Sequence, residues 1–176
     1  MNYGRIQIRP ATTADHDAIW RIFHEVVALG DTYAIDPKIS RDDALAYWFR
    51  SDNHVFVAEL DRLNRSGSGA GSNVVGTYIL RPNQSVGGAH IANAAFMVAP
   101  EARGRGLGRA MAEHCLTEAS RLGYRAMQFN FVVSTNESAI HLWKKLGFQI
   151  VGTLPNAFRH LKMGYVDAYI MHRCLL

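Results

Sequence analysis

Cysteine is scarce in this chain of 176 residues: Cys115 and Cys174 are the only two, far apart and in neither a CxxC nor a metal-ligand spacing. This excludes a disulfide scaffold and a thiolate metal centre, so no metal is expected, and both read as buried, reduced thiols. No apolar run approaches the roughly 20 residues that span a bilayer. From Met1 to Arg9, polar residues stand where a signal peptide needs an apolar stretch. The expectation is a cytoplasmic protein with no membrane partner. Excess charge is also small, a formal +4, and much of it sits in Arg103, Arg105 and Arg109. Local basicity of that kind suits a small phosphate-bearing ligand, not a nucleic-acid track.

What is present is an ordinary globular balance, 48% hydrophobic and 19% charged, at a length suited to one domain over 1–176. Arg5 to Pro10 alternates polar and apolar, as a strand does. Thr12-x-x-Asp15 offers a capping box, and Ile19, Ile22, Phe23 and Val26 follow at helical spacing towards Leu29 and Gly30. A second helix is expected from Asp42 to Arg50, with a polar loop between. Val55–Leu60, Val74–Leu80 and Ile91–Val98 read as strands, the first two joined by a Gly/Ser-rich connection over 64–72. A helix over Leu107–Leu122, a strand over Ala126–Val133 and a helix signalled by Ser134-x-x-Glu137 come next. Strands over Gln149–Leu154 and Val166–Arg173 complete the order. Strands interleaved with helices predict a mixed α/β sheet.

The most informative stretch lies between an apolar strand and an amphipathic helix: Arg103, Gly104, Arg105, Gly106, Leu107, Gly108 and Arg109, after Pro100. Glycines there let successive main-chain N–H groups converge on an anion, and the helix N-terminus adds free donors. The arginines supply charge for a pyrophosphate. Two familiar phosphate loops fail on spacing. A GxGxxG beginning at Gly104 meets Arg109 where glycine is required, and no Gly-Lys-Ser/Thr is present here.

Arg103-x-x-Gly106-x-Gly108 resembles the pyrophosphate-binding motif of the GNAT acetyltransferase superfamily. The segment from Asn136 to Phe148, with His141-Leu142-Trp143 and Leu146-Gly147-Phe148, resembles the family's following helix and Gly-Phe strand entry. The resemblance implies the GNAT fold, a mixed sheet of about seven strands flanked by about four helices, with acetyl-coenzyme A as co-substrate. It implies that two central strands part, and that Met97 and Val98 offer main-chain groups to the pantetheine arm and thioester carbonyl. Residues Arg103 through Arg109 would hold the pyrophosphate, and Asn136 would contact coenzyme A. A homodimer is common in the family.

The resemblance fails at the catalytic positions. Many members carry a tyrosine acid seven residues after that asparagine; here the position is Trp143, whose indole is no acid at neutral pH. Some carry a glutamate base about five residues before it; here stands Phe131. A thiol pKa near roughly 8.5 makes the thiolate a fair leaving group without a dedicated acid. The central strands carry amides instead, Asn93 and Asn130, which either satisfy each other in the interior or face the cleft and bind a polar substrate. Asn93, Phe129-Asn130 and Asn136, with Gly164-Tyr165-Val166-Asp167-Ala168, are similar to acetyltransferases that inactivate toxic proline analogues. That resemblance implies a free amino acid or analogue as acceptor.

A lysine-type amine, pKa about 10.4, is roughly 2.5 units, or about 3.4 kcal/mol, harder to neutralise than an α-amino group. A site without a strong base thus favours a less basic amine. Candidates for a water-relayed proton path are Tyr33, Asp36, Tyr78, His90, Tyr165 and Asp167; Asn93, Asn130 and Tyr165 are the catalytic candidates. Tyr33, Asp36, Asn93 and Asn130 are the candidates for holding substrate. Neither cysteine has the neighbours of an acetyl-enzyme nucleophile. Two alternatives remain open: acetylation of a protein or peptide amine, and a silent coenzyme A-binding sensor.

Overall fold

Apolar and β-branched runs supply the segments that pair. The computed structural model describes residues 5–60 and 73–176, and the Gly/Ser connection expected over 64–72 lies outside the described residues. The strands are β1 (Ile6–Pro10), β2 (His54–Leu60), β3 (Val74–Pro82), β4 (Ile91–Val98), β5 (Ala126–Val133), β6 (Gln149–His160) and β7 (Gly164–Cys174). The helices are α1 (His16–Ala28), α2 (Arg41–Trp48), α3 (Leu107–Arg121) and α4 (Glu137–Lys145). One seven-stranded sheet runs in the order β1-β2-β3-β4-β5-β7-β6. Among the described residues only β4 and β5 pair in parallel.

Side chains alternate between the two faces of the sheet. Thr77 on β3 accepts a hydrogen bond from the Trp48 indole of α2 at 3.0 Å, so that face carries α1 and α2. Its neighbour Tyr78 bonds His114 of α3 at 2.6 Å and stacks on Phe96, which meets Trp143 of α4. The helical repeat Ile19, Ile22, Phe23 and Val26 is buried, as is Leu107, Met111 and Cys115. Each apolar stripe is therefore spent on the sheet.

Several details differ from the sequence reading. Helix α4 is capped by Asn136, whose side-chain oxygen accepts from Ala139 N–H at 3.2 Å, and not by Ser134. Strand β6 continues through Pro155 to His160, because bulges between Leu154 and Phe158 absorb residues that cannot pair regularly. At the far end of β7, Cys174 is exposed, while Cys115 is buried; the expectation of two buried thiols is corrected.

Candidate functional site

The site begins as a failure of pairing. Strands β4 and β5 are in register only at Ile91 with Ala126 and Ala92 with Met127, then separate. On its other side β5 breaks register with β7 between Phe129 and Val132, so Asn130 and Phe131 bulge beside the gap. Main-chain direction alternates along β4. Ile91 O accepts from Asn83 N on the β3 side, and Ala99 N donates to Val75 O there, so the odd-numbered residues face β3. Phe96 and Val98 thus face the gap. The main-chain groups of Met97 point instead to β3, opposite Thr77, and only its buried side chain is near the cleft. Alternation places Phe96, which sequence reasoning missed, where Met97 was expected.

Two clefts meet at that gap. The larger, about 770 Å³, is lined by Phe96, Met97, Val98, Arg103, Gly104, Gly106, Leu107, Gly108 and the start of α4 from Thr135 to Ala139. Gly104 and Gly106 take φ of +74° and +81°, which L residues rarely adopt, and a Cβ on either would meet nothing within 4 Å. The turn therefore needs glycine for its backbone, and the space beside it is open. Its N–H groups, the free first turn of α3 and the exposed Arg103 form a donor set suited to a diphosphate. Arg105 is exposed and is not among the lining residues, and Arg109 is engaged by Glu113 at 2.8 Å.

The smaller cleft, about 310 Å³, lies on the α1 and α2 face and shares Tyr33, Phe96, Asn136, Ala139 and Trp143 with the larger. Asn93 and Asn130 both line it. The two amides are brought together by a residue that the sequence did not single out. The Asn83 side-chain oxygen accepts from Asn93 Nδ2 at 2.9 Å and from Asn130 Nδ2 at 2.7 Å. Gln128 then donates to Asn130 Oδ1 at 2.8 Å. Asn83 follows Pro82 at the end of β3, where an amide reads as turn chemistry, so no local signal marks it.

Tyr33 reaches the gap from the loop after α1. Its hydroxyl donates to Phe96 O at 2.6 Å and accepts from Phe96 N–H at 3.1 Å, taking the place of a missing strand partner. Burial pushes the phenol well above its ordinary range, so it keeps its proton. Trp143 packs against Phe96, Phe129 and Phe148 and forms the wall between the clefts.

The other polar candidates lie elsewhere. Asp36 is exposed, accepts from Lys38 N–H at 2.9 Å and lines neither cleft. Tyr165 is 67% exposed near the start of β7, outside both linings. Asp167 accepts from Asn156 N–H at 2.9 Å, holding the β6 bulge where Asn156 has a φ of +53°. Tyr78 is fully buried against His114, its phenol pushed up by burial, and His90 lines neither cleft. Burial also raises the Cys115 thiol, which keeps it protonated. Among the described residues no group of three or more His, Cys, Asp and Glu is placed to hold a metal, and no helix is long and apolar enough to cross a membrane.

Known proteins resemble this chain in sequence and fold. The model of the acetyltransferase (GNAT) family matches residues 17–148. The N-acetyltransferase aca1 of Schizosaccharomyces pombe is 34% identical over 152 residues, 82% of this chain and 72% of that protein. A GCN5-related N-acetyltransferase from Kribbella flavida superposes with a TM-score of 0.87 at 42% identity, covering 96% of this chain and 97% of its own. The structure of yncA from Salmonella typhimurium, solved with its cofactor acetyl-CoA, has a TM-score of 0.79 at 25% identity, over 98% of this chain and 95% of its own.

Proposed function

This chain belongs to the acetyltransferase (GNAT) family and is an acyltransferase, and we propose that it transfers acetyl from acetyl-coenzyme A to a small amine, with a free amino acid or amino-acid analogue as the favoured class. One observation carries the reading. A large cleft with a glycine turn and a small cleft lined by amides open onto the same unpaired edge of β4. The first has the donors for a nucleotide diphosphate; the second is about 310 Å³, at the low end of small-molecule sites.

The residues fit the co-substrate. Arg103, the main-chain groups of the glycine turn and the N-terminus of α3 would hold its diphosphate, Val98 its pantetheine arm, and Asn136 its position beside α4. When bound, acetyl-coenzyme A supplies the activated acetyl thioester. The rest is done by the chain. Apolar side chains at the junction, Phe96, Trp143 and Ala139, exclude water. Phe96 N–H is held by Tyr33, so Val98 N–H, which also faces the gap, is the group that can stabilise negative charge there. Tyr33 braces that edge: its hydroxyl is committed to Phe96 O and N–H and burial keeps its proton in place, so the thiolate, a fair leaving group, departs without a dedicated acid. With no carboxylate among the described residues lining the smaller cleft, deprotonation of the acceptor falls to water held by the amide chain, which favours amines of modest basicity. Reduced cysteines and an unexceptional charge support a cytoplasmic setting.

The test is an acceptor screen following free thiol release from acetyl-coenzyme A, with amino acids, cyclic imino acids, polyamines and short peptides. Turnover with small amines is the expected result. Turnover with peptides alone would assign the chain to protein or peptide acetylation. Binding of acetyl-coenzyme A by calorimetry with no turnover across the panel would make it a sensor.

A further inference from the structure

Arg81 is the one charged residue among the described lining of the smaller cleft. It sits on β3 directly opposite Asn93, so the two side chains leave the sheet on the same face. That face is the one carrying α1 and α2, where the acceptor cleft opens. Among the described residues no hydrogen bond or ion pair engages its guanidinium, although it is half-buried. Several other arginines have partners, among them Arg9 with Asp15 and Glu59, Arg21 with Glu101, Arg41 with Asp17 and Arg109 with Glu113, while Arg103 on the larger cleft is exposed rather than half-buried. An uncompensated cation in a partly desolvated cleft is costly unless an anion completes it.

We propose that Arg81 is the carboxylate-recognition residue of the acceptor cleft, so that the acceptor is a small amine carrying a carboxylate close to its nitrogen, such as an α-amino or cyclic imino acid. This rests on the reading of the cleft as an acceptor site. The amide chain supplies the second point of recognition. Asn93 and Asn130 each spend a donor on Asn83, and Asn130 Oδ1 is taken by Gln128. That leaves Asn93 Oδ1 as an acceptor beside Arg81, suited to an amine N–H. The guanidinium fork matches a planar carboxylate in two parallel hydrogen bonds. An acceptor with a second cationic group in place of the carboxylate is repelled by the same charge. A polyamine or a lysine side chain is therefore excluded by the feature that selects an amino acid.

The experiment pairs each acid with its uncharged relatives: neutral-side-chain amino acids and cyclic imino acids, their carboxamides, and the corresponding decarboxylated amines. Wild-type protein should acetylate the acids at least tenfold better in kcat/KM than either relative. Arg81→Gln should lose that preference, mostly through KM, while Arg81→Lys recovers part of it. Calorimetric binding of acetyl-coenzyme A to Arg81→Gln should match wild type, which separates lost recognition from lost folding. As a readout independent of turnover, adding the best acid should raise the melting temperature of wild type and not of Arg81→Gln. Equal acetylation of acids and carboxamides overturns the role of Arg81 and leaves the small-amine reading standing. Turnover confined to peptides overturns both.

Discussion

The hydroxyl of Tyr33 holds both main-chain groups of Phe96, donating to the carbonyl at 2.6 Å and accepting the N–H at 3.1 Å. A side chain from the loop after α1 thus stands where a strand would pair, at the point where the two clefts join. Replacing Tyr33 by Phe keeps the ring and its packing and removes only this bridge. Freeing the Phe96 edge where the clefts join should lower kcat about tenfold through lost positioning. Acetyl-coenzyme A affinity should change little. Steady-state kinetics with calorimetry checks this, and an unchanged kcat would show that the bridge does not position the site.

The glycine turn is open to a controlled comparison. Gly106 and Gly123 both take positive φ, +81° and +84°, and a Cβ on either would meet nothing within 4 Å. Alanine at each position should cost about 1–2 kcal/mol of stability through the left-handed backbone alone. Only Gly106→Ala lies in the cleft wall, so only it should weaken acetyl-coenzyme A binding, by tenfold or more. Equal affinities for the two variants would remove the turn from the binding site.

Thr77 joins the α2 face to the sheet. It accepts from the Trp48 indole at 3.0 Å and donates to Phe56 O at 2.8 Å, with both side chains fully buried. Thr77→Val keeps the shape and leaves a donor and an acceptor unsatisfied in the core. Denaturant unfolding followed by tryptophan fluorescence should report a loss of about 2 kcal/mol.

Acid stability should depend on Asp15. Hydrogen bonds from the Arg9 guanidinium at 2.8 and 2.9 Å, with help from Thr12 N–H, hold its carboxyl down at about 2, against an ordinary 3.8. A folded-state value below the unfolded one means stabilisation that is complete above about pH 4 and lost as pH falls through 2. Allowing for the partly exposed Arg9, the contribution is about 1–2 kcal/mol. Asp15→Asn should therefore be less stable than wild type by that amount at pH 6, and the gap should close towards pH 2. A gap that persists at pH 2 would assign the effect to packing or capping.

Local pattern carried a large share of the fold. Strands β4 and β5 fall on the segments that composition marks, and α1 and α3 bury the residues that a 3.6-residue period selects. The glycine turn was legible for the same reason, since φ above zero and close main-chain approach leave few residues to choose from. Asn93 and Asn130 were visible as amides in apolar strands, because such groups are expensive without partners.

Arg81 and Asn83 could be assigned to the site only by the assembled sheet, as could the bridge from Tyr33, itself a sequence candidate, to Phe96. Asn83 joins Asn93 to Asn130 from the far end of β3, across 47 residues of chain in the longer link. Whether Met97 or Phe96 faced the gap was likewise decided by the register of β4 on β3, for a shift of one residue reverses every main-chain group. Periodicity and composition report which residues seek burial, turn or charge; the meeting of groups distant in the chain depends on pairing partners that no local window contains.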